Sequence, residues 1–547
     1  MVNLLFGILF LAASAWFSPV NYDISLAGNF GEPRPNHFHA GIDIKTAGVE
    51  GKPLFSIGDG YISHVSIGEG GYGNAVYVKH PEGYTSVYCH LKAFTPRVRR
   101  MVRRWQYTHK QEKGMITFAP TDLPVTRGML IAISGNSGSS TAPHLHLEIR
   151  DDYTQEYCDP LEFIGQHIKD SMPPMAHGFM VCPKRGSGLF ENSYSKQTFS
   201  FPSKESERRF TAWGEVGFAL WANDYMRQSY NHFGIRKTEM FVNDSLYFTS
   251  VVSRIPMWAS LHVNSIGDNA HFRRSGVWYM HSYQQPGAKL PFVKATARDG
   301  YVNINEEKEY NIKYVLTDYW NNTSTYQLKV VGKKGVFETL PVVNLRNMLT
   351  WNKANVFQAV GLQLLLPQRT LENDIELTPV VEPNADGLSS IYCLYPQSYY
   401  LFSPAKLSLQ LKKSVKEASK LYVEQVGTHP IYKGGTYQNG WVTCSIKDIG
   451  GKYQIAYDDI PPTISPVSVG GNQTLRFLVT DSESGLSSVK GYVDNQFVLF
   501  ENKEKTAEYY CNLAETPLVK KNKQRKLKLT AVDNRGNIKE WTTQIEY

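Results

Sequence analysis

Two histidines, His144 and His146, stand in the stretch from Pro143 to Arg150 and are the residues best suited to chemistry. Apolar and polar residues alternate along this stretch. That alternation predicts a short strand, and its period of two places both imidazoles on one face. Neutral imidazole binds metal ions and transfers protons near neutral pH. Because a lone histidine on a strand is more often structural, the assignment depends on partners elsewhere.

Such partners stand upstream of the pair. His39 and Asp43 are four residues apart, and a further alternating stretch from Tyr84 to Leu91 contains His90. One histidine and one aspartate from the first group, with one histidine of the later pair, would make three ligands for zinc. The fourth tetrahedral position would then be left for water, as a catalytic site requires.

Three motifs in this order resemble those of the lysostaphin and LytM-type zinc metallopeptidases, which cleave peptide cross-links of bacterial cell walls. The resemblance covers residues 25 to 165 and includes glycine-rich stretches between the motifs. The matching segments are His39-x-x-x-Asp43, Gly58–Ile62, Gly70–Val78, Cys89-His90-Leu91, Gly135–Ser140 and His144-Leu145-His146.

The resemblance implies a role for each matched residue. His39, Asp43 and His146 correspond to the ligands of one zinc ion per chain, and His90 and His144 correspond to the catalytic histidines. The reaction implied is hydrolysis of an amide bond, with the two catalytic histidines assisting proton transfer and stabilising the oxyanion. Which histidine performs which role stays open at this point.

Three other residues near the motifs need separate consideration. His37 is a weaker candidate for the first ligand, because only His39 has the family spacing to Asp43. Cys89 is not expected to be a nucleophile, since adjacent strand residues point to opposite faces. Glu148 is a candidate hydrogen-bond acceptor for the ring of a ligand histidine, or else a surface carboxylate.

The composition predicts a mainly β protein of several domains. The chain has 547 residues, of which 42% are hydrophobic and 13% aromatic, with 33 Tyr. This length exceeds what one hydrophobic core usually serves, and aromatic residues favour strands. We expect an N-terminal compact antiparallel β metallopeptidase domain followed by two or three β-sandwich (immunoglobulin-like) domains.

An internal repeat guides the division of the C-terminal region. Residues 216–244 resemble residues 475–495, and each is followed by a strand that ends in an aspartate turn, at 318–322 and 533–537. This pattern resembles bacterial immunoglobulin-like sandwiches. The expected domains are a signal-like segment at 1–15, the peptidase domain at 16–170, an Ig-like domain at 200–335, a β domain of uncertain type at 336–462 and an Ig-like domain at 463–547.

One basic segment interrupts the peptidase pattern. Val98, Met101, Val102 and Trp105 recur at helical spacing with five arginines among them, which predicts a short amphipathic helix within an insertion near 95–120. Its basic face would attract anionic wall polymers or simply be solvated. A net charge of +8 is modest for this length, and no nucleic-acid motif is present.

The first fifteen residues, with an apolar run and a small-x-small ending, predict a secretory signal. No later stretch is long and apolar enough for a membrane span, so an exported protein of the periplasm or cell envelope is expected. The six cysteines are compatible with disulfides in such a protein, but their spacing does not give a pairing.

The expected function is therefore zinc-dependent hydrolysis of peptide cross-links in peptidoglycan, with the peptide stems as substrate. The alternative is an autoinhibited or non-catalytic LytM-type regulator that activates another wall hydrolase. The C-terminal β domains would serve as spacers, or bind a protein partner in the envelope. Fold resemblance does not choose between these roles.

Overall fold

The computed structural model describes residues 16–202, 208–227, 229–296, 298–469, 473–519 and 523–547. The signal-like segment expected at 1–15 lies outside them. The chain forms two compact units. The first comprises residues up to Asn29, Ala40–Val102 and Lys113–Asp170, and the second comprises Phe30–His39, Arg103–Glu112 and Ser171–Tyr547.

Short strands dominate the first 170 residues, as their alternating and glycine-punctuated sequence predicts. The strands and helices there are β1 (Leu26–Gly28), β2 (Pro33–Arg34), β3 (His37–Phe38), β4 (Ile42–Lys45), β5 (Pro53–Phe55), β6 (Gly60–Glu69), β7 (Gly73–Lys79), β8 (Tyr84–Cys89), β9 (Leu91–Phe94), α1 (Pro96–His109), β10 (Gly114–Thr117), β11 (Pro124–Val125), β12 (Leu130–Ser134), β13 (His144–Asp151), β14 (Glu156–Cys158) and α2 (Leu161–Ile164).

Two antiparallel sheets organise the first unit. The larger has the order β1-β4-β13-β8-β7-β6-β10, with β14 added to β13 and β11 to β6, and the smaller has the order β5-β12-β9. Strand β13 is central, and its Leu145, Leu147 and Ile149 are buried. A strand buried on both faces has a fixed register, because a slip of one residue would reverse every side chain.

Helix α1 contains the predicted amphipathic segment and extends beyond it at both ends. Val98 and Val102 are buried, as their spacing predicts. Arg103, in the part of α1 that belongs to the second unit, donates to Glu501 at 2.8 Å and to Glu515 at 3.4 Å. The basic face is therefore partly paired with carboxylates.

The next domain is built around one long sheet in the second unit. Its elements are β15 (Met175–Phe190), β16 (Gln197–Phe199), β17 (Arg209–Met226), β18 (Ser229–Phe233), β19 (Lys237–Val242), β20 (Ser245–Val251), β21 (Arg254–Pro256), α3 (Val263–Ile266), α4 (Asn269–Ser275), β22 (Met280–His281), β23 (Val293–Ala295), β24 (Val302–Ile304), β25 (Glu309–Thr317) and β26 (Thr323–Gly332).

The sheet order is β16-β15-β17-β26-β25-β19-β20-β23, and β18, β22 and β24 pair with β17. The sheet starts before the boundary expected at residue 200, because β15 pairs with β17 along most of its length.

The third domain consists of two five-stranded sheets, which share one apolar core that includes Leu364, Leu407 and Tyr453, and of one two-stranded sheet. Its strands are β27 (Met348–Leu349), β28 (Asn355–Ala359), β29 (Leu362–Leu366), β30 (Ile375–Glu376), β31 (Val380–Glu382), β32 (Ile391–Cys393), β33 (Tyr400–Gln410), β34 (Leu421–Val426), β35 (Ile431–Tyr432), β36 (Thr436–Gln438), β37 (Trp441–Asp448) and β38 (Lys452–Tyr457).

The last domain is a sandwich of two four-stranded sheets around a core that includes Phe477 and Leu529. Its strands are β39 (Thr463–Ser468), β40 (Thr474–Thr480), β41 (Leu486–Val493), β42 (Gln496–Val498), β43 (Glu501–Asn502), β44 (Glu508–Asn512), β45 (Gln524–Asp533) and β46 (Ile538–Glu546).

The repeated aspartate turn has the same hydrogen bonds in both of its copies. The backbone N–H and side-chain amide of Asn322 donate to the carboxylate of Asp318 at 2.8 and 2.7 Å. Asn537 donates to Asp533 in the same way at 2.9 and 2.7 Å. The sequence repeat thus corresponds to a structural repeat.

All six cysteines lie among the described residues, and none forms a disulfide. Of the helices that the structure describes, none is long and apolar enough to cross a membrane.

Candidate metal centre

Strand pairing brings the predicted site residues together. In the ladder between β13 and β4, His146 lies opposite Asp43, and in the ladder between β13 and β8 it lies opposite Cys89. His90 follows β8 directly, and its backbone φ is 60°, a left-handed conformation that is uncommon for histidine. The ring centroid of His90 lies 4.7 Å from that of His144 and 5.8 Å from that of His146.

Three of these residues form a group able to hold a metal ion. His39, Asp43 and His146 each offer one ligand atom, and these three atoms lie within 4.8 Å of one another. Their exposed fractions are 1%, 5% and 6%, so water competes little for them. His37 is exposed and belongs to no such group among the described residues.

Both ring nitrogens of His146 face carboxylates. Nε2 lies 3.1 Å from Oε1 of Glu148, and Nδ1 lies 2.9 Å from Oδ1 of Asp43. Burial opposes a charge on this ring, but the bonds to Asp43 and Glu148 outweigh it and raise the pKa of His146 to about 9. When Nε2 of a neutral His146 ring donates a hydrogen bond to Glu148, Nδ1 carries a lone pair. That lone pair points at Oδ1 of Asp43, which can only accept. A proton or a metal ion is required between them.

His144 presents a similar arrangement. Its Nδ1 donates to the backbone carbonyl of Ala142 at 2.8 Å, and its Nε2 lies 3.3 Å from Oδ1 of Asp43. One carboxylate oxygen therefore faces the ring nitrogens of two histidines. The two imidazoles and one carboxylate of His39, His146 and Asp43 are a donor set that zinc takes in catalytic sites, so zinc fits this group, to which His144 does not belong.

Glu148 is held in place by a second ion pair. It is fully buried, and Arg150 donates to its Oε2 from Nε at 2.9 Å and from Nη2 at 2.7 Å. Burial alone would raise the pKa of Glu148, but the charge of Arg150 and the hydrogen bond from His146 lower it to about 2. Glu148 is therefore an ionised acceptor for the His146 ring, and of the two alternatives that the sequence leaves open, the surface carboxylate is wrong because the side chain is buried.

The guanidinium of Arg150 is in turn surrounded by aromatic rings. It lies 5.7, 5.3 and 5.5 Å from the ring centroids of Tyr72, Tyr77 and Tyr157. Sequence reasoning missed this cluster. A tyrosine-rich composition was the only signal for it, because the three rings come from separate strands and loops.

His90 is poised as a neutral ring. Its Nδ1 donates to the carbonyl of Ser137 at 2.8 Å, so the unprotonated nitrogen of the neutral ring is Nε2. Burial, followed by the charges of His146 and His144, lowers the pKa of His90 to about 3. The neighbouring Cys89 is fully buried beside Tyr77 and Val87, and burial raises the pKa of its thiol, which disfavours the nucleophilic thiolate form.

Two family models match this chain. That of peptidase family M23 matches residues 37–107, and that of the Zu5-like domain matches residues 346–458. The M23 match includes His39, Asp43 and His90 and ends before β13. The Zu5-like match lies within the β domain expected at 336–462.

Curated relatives match between 20% and 28% of this chain. The chain is 35% identical over 112 residues to the DD-carboxypeptidase/endopeptidase Mpg of Neisseria meningitidis, covering 20% of each chain. It is 30% identical over 120 residues to lipoprotein NlpD of Yersinia enterocolitica, covering 22% of this chain and 97% of that protein. It is 30% identical over 153 residues to murein hydrolase activator NlpD of Salmonella dublin, covering 28% of this chain and 32% of that protein.

The chain thus spans only 20% of the length of the Neisseria protein, but nearly all of the Yersinia protein. The M23 model and these relatives agree with the motifs and with the β architecture that carries them. This chain belongs to peptidase family M23 and contains a LytM-type domain.

Proposed function

We propose that this protein is a zinc metalloendopeptidase that hydrolyses peptide cross-links of bacterial peptidoglycan in cell-wall remodelling. The observation that carries the proposal is the buried group of His39, Asp43 and His146, with ligand atoms within 4.8 Å of one another, beside a neutral His90. Histidines with a purely structural role would not need ring nitrogens that face one carboxylate oxygen, as those of His144 and His146 face Oδ1 of Asp43.

His39, Asp43 and His146 would hold the zinc. When bound, a zinc ion lowers the pKa of a coordinated water and polarises the scissile carbonyl. Glu148 fixes the His146 ring by accepting from Nε2, so Nδ1 is the nitrogen left for the metal.

The geometry supports different roles for the two catalytic histidines. Nδ1 of His90 donates a hydrogen bond to the carbonyl of Ser137. Nε2 of the same ring can therefore accept a proton from the attacking water. Nε2 of His144 lies 3.3 Å from the Asp43 carboxylate, which can only accept, so this contact supports a donor role for His144. His144 would therefore stabilise the oxyanion or deliver a proton to the leaving amine.

The proposed substrate is the peptide stem of the wall, and the proposed location is the cell envelope. Family membership supports both, together with relatives named a DD-carboxypeptidase/endopeptidase and a lipoprotein. Envelope proteins bound through the C-terminal β domains are the proposed partners.

Digestion of purified peptidoglycan sacculi by the zinc-loaded chain tests the proposal, with muropeptides resolved by mass. We expect loss of cross-linked dimers, which also identifies the bond that is cut. The control is His146→Ala, and chelation of the metal is the second control. Intact dimers in the presence of one bound zinc per chain would contradict the proposal.

The alternative is a regulator that activates another wall hydrolase. It is favoured by the Salmonella relative, which is named a murein hydrolase activator. A regulator would leave sacculi intact when alone, yet speed their digestion when a purified wall amidase is added. In that case His146→Ala would still activate the amidase.

A further inference from the structure

A cavity of about 540 Å³ lies in the second unit, against strands β17, β19 and β20. This volume falls in the range of sites that bind small molecules. Aromatic residues on its wall include Trp221 and Tyr225 from β17 and Trp278 from the loop before β22. The rings are fixed by their neighbours, since Trp221 packs on His177 at 4.8 Å and Trp278 stacks on Phe272 at 4.3 Å.

The cavity wall is nearly free of charge. Among its described lining residues, Glu32 is the one with a carboxylate, and it accepts from Arg34 at 2.7 and 2.8 Å. Burial and the nearby His232 lower the pKa of His177, which keeps this ring neutral near neutral pH. A charged ligand would lose its hydration without gaining a partner, so the site suits a neutral one.

Gln284 and His281 on the wall each have a buried side-chain nitrogen for which no hydrogen-bond partner is found, and Nε2 of His281 lies 3.8 Å from the carboxylate of Asp268. Gln284 is 7% exposed, and no hydrogen-bond partner is found for its Nε2. A buried amide N–H without an acceptor is costly, and a ligand oxygen would remove that cost. Asn223 and Ser250 add further uncharged polar groups to the same wall.

We propose that this cavity binds a neutral saccharide. The C–H faces of a sugar ring match the apolar surfaces of the aromatic side chains, and a sugar oxygen matches the unpaired N–H of Gln284. The inference stands independently of the proposed peptidase activity.

Calorimetric titration of the full chain with N,N′-diacetylchitobiose tests the inference. Gln284→Leu removes the unpaired donor, and Gln358→Leu, at an exposed position of β28, is the matched control. We expect Gln284→Leu to weaken binding about tenfold, the equivalent of one lost hydrogen bond. It should keep its thermal unfolding midpoint, because it removes a buried donor that has no acceptor, and it should digest sacculi as the parent chain does.

Tryptophan fluorescence gives a second measurement that does not depend on the stability of Gln284→Leu. The disaccharide should change the emission of the parent chain, and Trp221→Phe should reduce that change while Trp258→Phe, at an exposed position, retains it. The inference is overturned if the disaccharide gives neither heat nor an emission change at millimolar concentration. It is also overturned if Gln284→Leu binds as tightly as Gln358→Leu, or if an apolar dye binds in the cavity and the disaccharide does not displace it.

Discussion

The Nε2 atom of His146 lies 3.1 Å from Oε1 of the fully buried Glu148. Because a carboxylate can only accept, this contact places a proton on Nε2 and leaves Nδ1 for Asp43 or for a metal. A carboxylate that orients a ligand histidine in this way typically raises the basicity of the ligand. The strand spacing of two residues is what sets Glu148 beside His146.

Replacing Glu148 with Gln should weaken zinc binding by about 10–100-fold, as loss of such a partner typically does. The amide keeps the size of the side chain but loses the charge that stabilises the ligand ring. Competition against a fluorescent chelator measures the affinity, and Glu162→Gln, at an exposed position in α2, is the control. Equal affinities in the two variants would show that Glu148 does not orient the ligand.

Arg150→Met should destabilise the LytM-type domain by about 3–5 kcal/mol, because it removes the guanidinium that pairs with the buried charge of Glu148. Much of this loss should disappear in the double variant with Glu148→Gln, since the uncompensated charge is then absent. Urea titration measures the free energy of unfolding of both variants. The unfolding transition of the LytM-type domain is identified as the one that added zinc shifts. Arg127→Met, at an exposed position, is the control. If Arg150→Met is as stable as this control, the expectation is contradicted.

The sequence predicts the strand that carries these residues because its pattern is local. A period of two sets His144, His146 and Glu148 along one strand, and the spacing of His39 and Asp43 fits a turn entering β4. Strand pairing then brings the two segments together. These relationships need only the alternation rule and the motif order.

The remaining features depend on contacts that no local pattern reveals. The rings around Arg150 come from β7, β14 and the turn before β7, and the carbonyl that orients His90 comes from Ser137, 47 residues away. Arg103 of helix α1 donates a hydrogen bond to Glu501, which lies 398 residues further along the chain. The disulfides considered from composition are absent among the six cysteines, all of which lie in the described part of the chain.

The zinc-free LytM-type domain should lose stability as the pH falls from about 6.5 toward 3. Burial and its charged neighbours lower the pKa of His90 to about 3, so the unfolded chain binds a proton in this range that the folded chain excludes. His90→Gln should therefore show a flatter pH dependence than the parent chain between these limits. Urea titrations across that range measure it, with His109→Gln, at an exposed position, as control. A parallel pH dependence in His90→Gln and the parent chain would contradict this.

His90→Gln and His144→Gln should each lower the turnover of a cross-linked muropeptide by about 10²–10⁴-fold while retaining one zinc per chain. Neither residue belongs to the ligand group, so metal content should be preserved. Metal analysis and steady-state kinetics on the same preparations separate the two effects. Asp43→Ala should instead lose the metal, and loss of zinc in His90→Gln would show that this ring is a ligand.

Titration of zinc into the metal-free chain, with hydrolysis of a purified cross-linked muropeptide as readout, tests the central claim most directly. Hydrolysis should be absent without metal, rise in proportion to added zinc and reach its plateau at one zinc per chain, whereas His146→Ala should stay inactive at that ratio. Hydrolysis that proceeds in the metal-free chain, or equally in His146→Ala, would contradict the assignment of His39, Asp43 and His146 as the metal centre.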